Sequence, residues 1–203
     1  MRDRFAEARY EVWSHARKMW AAGLVVGSSG NISARLTDDP SVIAITPTSI
    51  AYDEMVAQQI VVVDLRTGDS IESRESPSYE LPMHRIIYRE MPDVSAIAHT
   101  HSPFVTTLSI LRRPLPPVID EMLKLFGGTI EVADYAPSGT EDLGRNALRA
   151  LGKRTAVILA NHGNVCVGPD ISAALQTAIA MEAAARIYLQ ALQVGEPFVL
   201  RQS

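Results

Sequence analysis

The stretch Ser95–Phe104, SAIAHTHSPF, places two histidines one residue apart at the end of an apolar run. Neighbouring side chains of a β-strand point to opposite faces, so His99 and His101 are predicted to project from the same face. Two imidazoles held on a rigid strand can bind one divalent ion. A third imidazole, His162, stands at the end of another apolar strand, in the stretch LANHGNVCVG. The three histidines therefore form a candidate metal site.

Three histidine ligands leave one coordination position open, which is typical of a catalytic rather than a structural zinc site. Gly163, next to His162, is predicted to let the backbone turn sharply into the site. From spacing alone, a metal site and a set of ordinary histidines are both open. His15 and His84 fall within helical patterns and are interpreted as ordinary histidines rather than ligands.

The composition indicates a globular protein of 203 residues, with 47% hydrophobic and 21% charged residues, predicted to form one domain over residues 1–203. The net charge of −4 argues against a nucleic-acid partner, because no basic surplus exists to neutralise phosphates. A small phosphorylated ligand stays open, since backbone N–H groups at the start of a helix can bind one phosphate.

Cellular location is indicated by cysteine content and by the N-terminus. Cys166 is the only cysteine, which excludes an intrachain disulfide, favours a reducing compartment and is interpreted as a buried, inert thiol. The N-terminal stretch MRDRFAEARYEVW carries charges throughout, unlike a signal peptide. No apolar run approaches the length of a membrane span. We therefore expect a cytoplasmic protein without a membrane partner.

Helical and strand patterns alternate along the chain. Helices are predicted over residues 4–22, within 76–92, from Thr140 to Leu151 and within 169–192, and strands after the Gly/Ser-rich turn at 27–30, at 41–48, 59–65, 94–101 and 155–161. The Pro-rich stretch 112–121 is predicted to be a connection. Interleaved elements with short neighbouring strands favour an α/β fold with a mixed or antiparallel sheet, whose strand order the pattern does not fix.

Five segments in order, GSSGNIS, TPTS, SPSYE, IAHTHSP and LANHGNVCVG, resemble the class II aldolase/adducin family, in particular its L-fuculose-1-phosphate aldolases. The resemblance runs from the first helix to about Leu192. It implies an α/β/α three-layer domain with a central, largely antiparallel sheet. It also implies a homotetramer with active sites between subunits.

The resemblance also implies roles for the metal site. His99, His101 and His162 resemble the three zinc ligands of the family, although imidazole also suits Mn²⁺, Co²⁺ and Fe²⁺. Glu80, which closes SPSYE, resembles the catalytic acid/base. By its position alone, Glu80 could equally serve the dipole of a following helix.

A phosphate site follows from the same resemblance. Asn31, Thr48, Ser49 and Ser78 correspond to parts of the family's phosphate-binding site, although Asn31 and Ser78 are also ordinary turn and cap residues. Two departures stand here: Tyr79 replaces a second serine, and Ser49 stands where the fuculose enzymes usually have glycine.

The pair Asp120 and Glu121 is a further departure. The fuculose-type aldolases tend to have a tyrosine near Glu121 that handles the aldehyde in a neighbouring subunit. The surrounding EMLK resembles the methylthioribulose-1-phosphate dehydratases, in which this glutamate is the acid/base, although those enzymes generally lack a counterpart of Glu80. We take Glu121 as a second candidate catalytic residue, with a solvated surface charge as the alternative.

The expected function is a metal-dependent lyase whose partner is a small-molecule sugar phosphate. It would cleave a ketose 1-phosphate, such as L-fuculose 1-phosphate or a related deoxy-sugar phosphate, into dihydroxyacetone phosphate and an aldehyde. A methylthioribulose-1-phosphate dehydratase or a pentulose-phosphate 4-epimerase on the same scaffold is the enzymatic alternative. An adducin-head-like interaction module is the non-enzymatic one.

Overall fold

The computed structural model describes residues 4–201, which form six α-helices around one eight-stranded sheet. The helices are α1 (Ala6–Ala21), α2 (Leu81–Glu90), α3 (Pro103–Leu111), α4 (Asp120–Phe126), α5 (Glu141–Leu151) and α6 (Ile171–Leu192), with a short 3₁₀ turn at Ala57–Gln59. Among these residues no helix is long and apolar enough to cross a membrane.

The strands are β1 (Asn31–Arg35), β2 (Val42–Ile45), β3 (Val61–Asp64), β4 (Ser70–Ile71), β5 (Ala96–Thr100), β6 (Val132–Ala133), β7 (Ala156–Leu159) and β8 (Gly163–Gly168). They are ordered β4-β3-β2-β1-β5-β8-β7-β6. All neighbours are antiparallel except β6 and β7, which are parallel. The predicted mixed, largely antiparallel sheet is therefore confirmed.

Helices cover both faces of the sheet, so the central strands are buried on both sides. In β5, Ala96 and Ala98 belong to a core shared with α1, α3, α4 and α6, whereas Ile97 belongs to a second core shared with α2 and α5. Continuous apolar runs such as Ala156–Leu159 suit this double burial. The predicted α/β/α layering is confirmed.

Where the sequence has clear capping residues, they predict the ends of the helices correctly. Thr140 Oγ1 accepts a hydrogen bond from Leu143 N at the start of α5, and Gly152 follows the last helical residue. Pro82 lies in the first turn of α2, where its missing N–H costs nothing. The prediction for residues 4–22 matches α1.

Two short helices are missing from the sequence prediction. α3 begins at Pro103, immediately after the histidine pair, and its first N–H groups at Phe104 and Val105 donate to the carboxylate of Glu182 on α6. α4 begins at Asp120, inside the stretch predicted to be a connection. Both depend on contacts with α6, which local pattern does not reveal.

Candidate active site

Three imidazole rings meet at one end of the sheet. Each pair among His99, His101 and His162 has ring centroids 4.8 Å apart. One ligand atom from each ring and one from the Glu80 carboxylate all lie within 4.8 Å of one another. The sequence-predicted ligands and the predicted acid/base therefore come together in one cluster.

The backbone explains how this cluster forms. His99 lies in β5, and His101 follows the strand on the same face. His162 lies in the turn between β7 and β8, where Asn161 adopts a left-handed φ of 56°. The prediction that Gly163 supplies the sharp turn is wrong. Gly163 is needed instead for close packing, because a Cβ there would lie 2.2 Å from Thr100 O and 2.9 Å from His101 Cδ2.

The donor set fits a divalent metal ion. Asn164 O lies 2.8 Å from His99 Nδ1, so this nitrogen carries a proton and donates, and Nε2 is the nitrogen that faces the cluster. Burial and the neighbouring imidazoles lower the pKa of His101 to about 3 and that of His162 to about 4. At His99 burial alone lowers the pKa of the ring, but the Glu80 carboxylate outweighs burial and raises this pKa, so a bound metal would have to displace a proton there. Neutral imidazoles are the form that binds metal, and three of them with one carboxylate suit zinc and similar ions.

Glu80 turns its side chain away from the helix it precedes. It is the N-cap residue of α2 but makes no capping hydrogen bond, and it is only 6% exposed. Its Oε2 lies 2.8 Å from His99 Nε2 and its Oε1 lies 3.4 Å from His162 Nε2. The side chain is thus directed at the histidines, so the helix-dipole alternative does not describe its contacts.

Two neutral donors also hold the Glu80 carboxylate. Ser138 Oγ donates to Oε1 at 2.7 Å and Asn31 Nδ2 donates to Oε2 at 2.9 Å. Burial alone raises the pKa of Glu80, but His99, His162 and Ser138 outweigh it and hold this pKa well below its usual range. The carboxylate is therefore ionised at neutral pH, as a base or a metal ligand must be.

A cavity opens beside the cluster, and most of its polar side chains are uncharged. It is lined by Ser28, Ser29, Gly30, Asn31, Pro47, Thr48, Ser78, Tyr79, Glu80, His101, Ser138 and His162. Three of the four predicted phosphate residues, Asn31, Thr48 and Ser78, are in this set. Ser49 is outside it: this residue is exposed and adopts a left-handed φ of 59°.

Sequence reasoning missed several residues of this region. Ser138 lies in a turn that carries no motif, yet it contacts Glu80. Tyr79, where the sequence departs from the family motif, has a side chain that is 68% exposed, lines the cavity and packs over Gly139. His84 lies on α2 and outside the cluster, as predicted for an ordinary histidine, but sequence reasoning did not reveal that it is fully buried with its Nε2 2.5 Å from Asn31 Oδ1. The apolar spacing of α2 could have predicted that His84 lies on the buried face of the helix. It could not have predicted the contact with Asn31 on β1.

Glu121 does not join the cluster of its own chain. It lies in the first turn of α4, is exposed and does not line the cavity. A role in the site formed by this chain alone has no support from its position.

The fold and the site together define a class II aldolase. A solved structure titled L-fuculose 1-phosphate aldolase superposes with a TM-score of 0.91 at 35% identity, covering 97% of this chain and 91% of that one. The chain belongs to the family described as the class II aldolase and adducin N-terminal domain, whose model matches residues 10–189.

Curated relatives agree with this assignment. A 5-deoxy-D-ribulose 1-phosphate aldolase of Bacillus thuringiensis is 36% identical over 95% of this chain and 89% of its own length. A 5-methylthioribulose-1-phosphate/5-deoxyribulose-1-phosphate aldolase of Rhodospirillum rubrum is also 36% identical, over 95% and 85%. The predicted family and enzyme class are confirmed: the protein is a class II sugar-phosphate aldolase, a carbon–carbon lyase.

Proposed function

We propose that the protein cleaves a terminally deoxygenated ketose 1-phosphate into dihydroxyacetone phosphate and an aldehyde. The observation that carries the proposal is the meeting of the Glu80 carboxylate with three imidazoles, all within 4.8 Å, beside a hydroxyl-lined cavity. A base, a metal-ligand set and an uncharged anion site are the parts that this cleavage needs.

The bond that breaks joins C3 and C4 of the ketose and leaves an enediolate on the C1–C3 fragment. A divalent ion held by His99, His101 and His162 would supply a Lewis acid for the developing oxyanion. We propose Zn²⁺, with Mn²⁺, Co²⁺ or Fe²⁺ as alternatives, since imidazole binds all of them. Glu80 lies beside these ligands and would deliver a proton to C3 after cleavage, or remove it in the synthetic direction.

Phosphate binding is proposed for Asn31, Thr48 and Ser78, which line the cavity, with Ser49, outside the lining, as a fourth candidate. Hydroxyl and amide N–H groups suffice for one phosphate, and the side chains of Asn31, Thr48 and Ser78 all line the cavity beside the histidine cluster. This arrangement explains how a chain with a net charge of −4 binds an anion.

The substrate class is supported by what the relatives have in common. Two curated relatives are named for 5-deoxyribulose 1-phosphate, and the solved structure is titled for L-fuculose 1-phosphate, a 6-deoxy sugar phosphate. Both substrates end in a methyl group and carry phosphate at C1. We propose a substrate with these two features.

Glu121 is proposed to act on the aldehyde half in a neighbouring subunit of a cytoplasmic homotetramer. Its exposure on α4 leaves it free for such a contact, and the family resemblance supplies the assembly. Each subunit would be one domain, since all eight strands among residues 4–201 share one sheet. Glu121→Gln is then expected to slow cleavage of the full ketose phosphate while leaving proton exchange at dihydroxyacetone phosphate near that of the wild type.

The test measures release of dihydroxyacetone phosphate from L-fuculose 1-phosphate, 5-deoxyribulose 1-phosphate and 5-methylthioribulose 1-phosphate, by NADH-linked reduction. We expect release from at least one of the first two, lost on chelation and restored by zinc. Dehydration of methylthioribulose 1-phosphate without any release, abolished in Glu121→Gln but not in Glu80→Gln, would contradict the proposal and favour the dehydratase.

A further inference from the structure

A line of buried polar side chains runs from Glu80 away from the cavity, into the layer between α2 and the sheet. Asn31 Nδ2 donates to Glu80 Oε2 at 2.9 Å, and Asn31 Oδ1 lies 2.5 Å from His84 Nε2. His84 Nδ1 lies 2.7 Å from Ser33 Oγ, which lies 2.8 Å from the Tyr88 hydroxyl. All five residues are buried.

Two elements build this line by their own periodicities. His84 and Tyr88 are four residues apart on α2, so they lie on one side of the helix. Asn31 and Ser33 are two residues apart on β1 and share a face of the strand, the face that α2 covers. The polar residues therefore interlock the helix that carries Glu80 with the strand that carries Asn31.

The direction of every hydrogen bond in the line follows from its chemistry. The Asn31 carbonyl oxygen can only accept, so His84 Nε2 must carry a proton and donate. Burial lowers the pKa of His84 to about 3, so the ring is neutral at pH 7 and its Nδ1 accepts. Ser33 must then donate to Nδ1 and accept from Tyr88. The hydrogen bonds point one way, from the tyrosine towards the carboxylate.

We infer that His84 is a positioning residue for the acid/base: it fixes the Asn31 carboxamide so that its N–H, not its oxygen, faces Glu80. A flipped amide would turn Oδ1 towards the carboxylate and repel it. Ser33 and Tyr88 fix the tautomer of His84 in turn. The second N–H of Asn31 stays available to a substrate oxygen, so one amide orients both the base and the ligand.

This inference rests on the proposed role of Glu80, and its first test is independent of activity. Long-range ¹H–¹⁵N NMR of metal-loaded protein reports the tautomer of His84, assigned by comparison with His84→Gln. We expect the neutral Nε2–H tautomer in the wild type and a shift towards a mixture of tautomers in Ser33→Ala, where Nδ1 has lost its donor. A charged ring or the Nδ1–H tautomer in the wild type would overturn the inference.

The second test separates positioning from structure. Ser33→Ala, Tyr88→Phe and His84→Gln are compared with Ser109→Ala, a matched control that removes an equally buried serine hydroxyl from α3. We expect the maximal rate of proton exchange at dihydroxyacetone phosphate to fall about tenfold or more in His84→Gln and less in the two milder variants. The bound zinc should stay near the wild-type value, and KM should rise as the rate falls, because the same Asn31 amide faces the substrate.

Equal maximal rates in the wild type and all three variants would overturn the inference, and so would a loss that excess zinc restores, since it would mean a defect in metal binding. Ser33→Ala and Tyr88→Phe each remove a single oxygen atom and keep the test decisive if His84→Gln does not fold. An inactive wild type with the expected tautomer would instead count against the proposed function and leave the hydrogen-bonded line intact.

Discussion

His99 Nε2 and His101 Nε2 lie 2.9 Å apart on one face of the sheet. The side chain of Thr100, between them in sequence, lies on the other face and donates a hydrogen bond to Asn164 Oδ1. The i, i+2 spacing of a strand is thus sufficient to bring two imidazoles to one point. The third, His162, arrives from the turn after β7, beside β8, which pairs with β5. The histidine cluster therefore lies beside two paired strands, and the sheet fixes the positions of the three rings.

Replacing any one of the three histidines should abolish stoichiometric metal binding. His99→Ala is expected to weaken zinc affinity by about a hundredfold or more, because the site loses one of its three imidazole ligands. Metal content after dialysis, measured by mass spectrometry, gives the result. His15→Ala, on α1, is the matched control and should keep its zinc. A His99→Ala protein with full zinc occupancy would refute the assignment of the ligands.

Gly163→Ala should be strongly destabilising. The added Cβ would lie 2.2 Å from Thr100 O, in the paired backbone of β5, so the strands must separate. We expect a loss of about 3 kcal/mol of unfolding free energy, measured by urea denaturation, together with weaker zinc binding through displacement of His101. Gly195→Ala, where nothing lies within 4 Å, is the control. Equal stability of the two variants would show that the strand spacing at Gly163 is looser than described.

Acid should destabilise the metal-free protein partly through His84. Burial lowers the pKa of His84 from 6.5 to about 3. Between these two pH values the imidazole is protonated in the unfolded chain and neutral in the folded chain, so the unfolded state binds more protons. This contribution is fully present above pH 6.5 and is lost as pH falls towards about 3. Urea denaturation in chelator at several pH values should show a shallower loss for His84→Gln than for the wild type. Parallel pH profiles for the two proteins would exclude this contribution.

Ser49 should tolerate glycine better than a β-branched residue. Its φ of 59° is strained for a side chain by about 1 kcal/mol, which glycine relieves at a similar entropic cost in the unfolded state. Ser49→Gly is therefore expected to stay within about 1 kcal/mol of the wild type. Ser49→Val should lose about 2 kcal/mol by urea denaturation. A valine variant as stable as the glycine one would mean that this backbone relaxes easily.

Much of the fold and of the cluster follows from local rules that the sequence displays. The alternation of side chains in β5 predicts that His99 and His101 share a face. Thr140 and Gly152 mark the two ends of α5. The family motif SPSYE identifies Glu80 as the candidate acid/base. These features were predictable because each depends on residues close in sequence.

The parts that sequence reasoning missed depend on contacts between distant segments. The N-terminus of α3 is held by Glu182, which lies 78 residues from Phe104. His84 is 53 residues from Asn31, and Ser138 is 58 residues from Glu80. The sequence predicts a turn at Gly163, but the need for glycine there comes from the backbone of the neighbouring strand, β5. No local pattern records such distances, so only the three-dimensional structure reveals them.

The central claim, that Glu80 moves a proton at C3 of an enediolate beside a histidine-bound metal, has one direct test. Zinc-loaded protein is incubated with dihydroxyacetone phosphate in deuterated water, and loss of the C3 proton signal is followed by NMR. The account predicts stereospecific exchange that chelation abolishes and that Glu80→Gln slows by about a hundredfold or more. No exchange by folded, zinc-replete wild-type protein, or full exchange by Glu80→Gln, would contradict it.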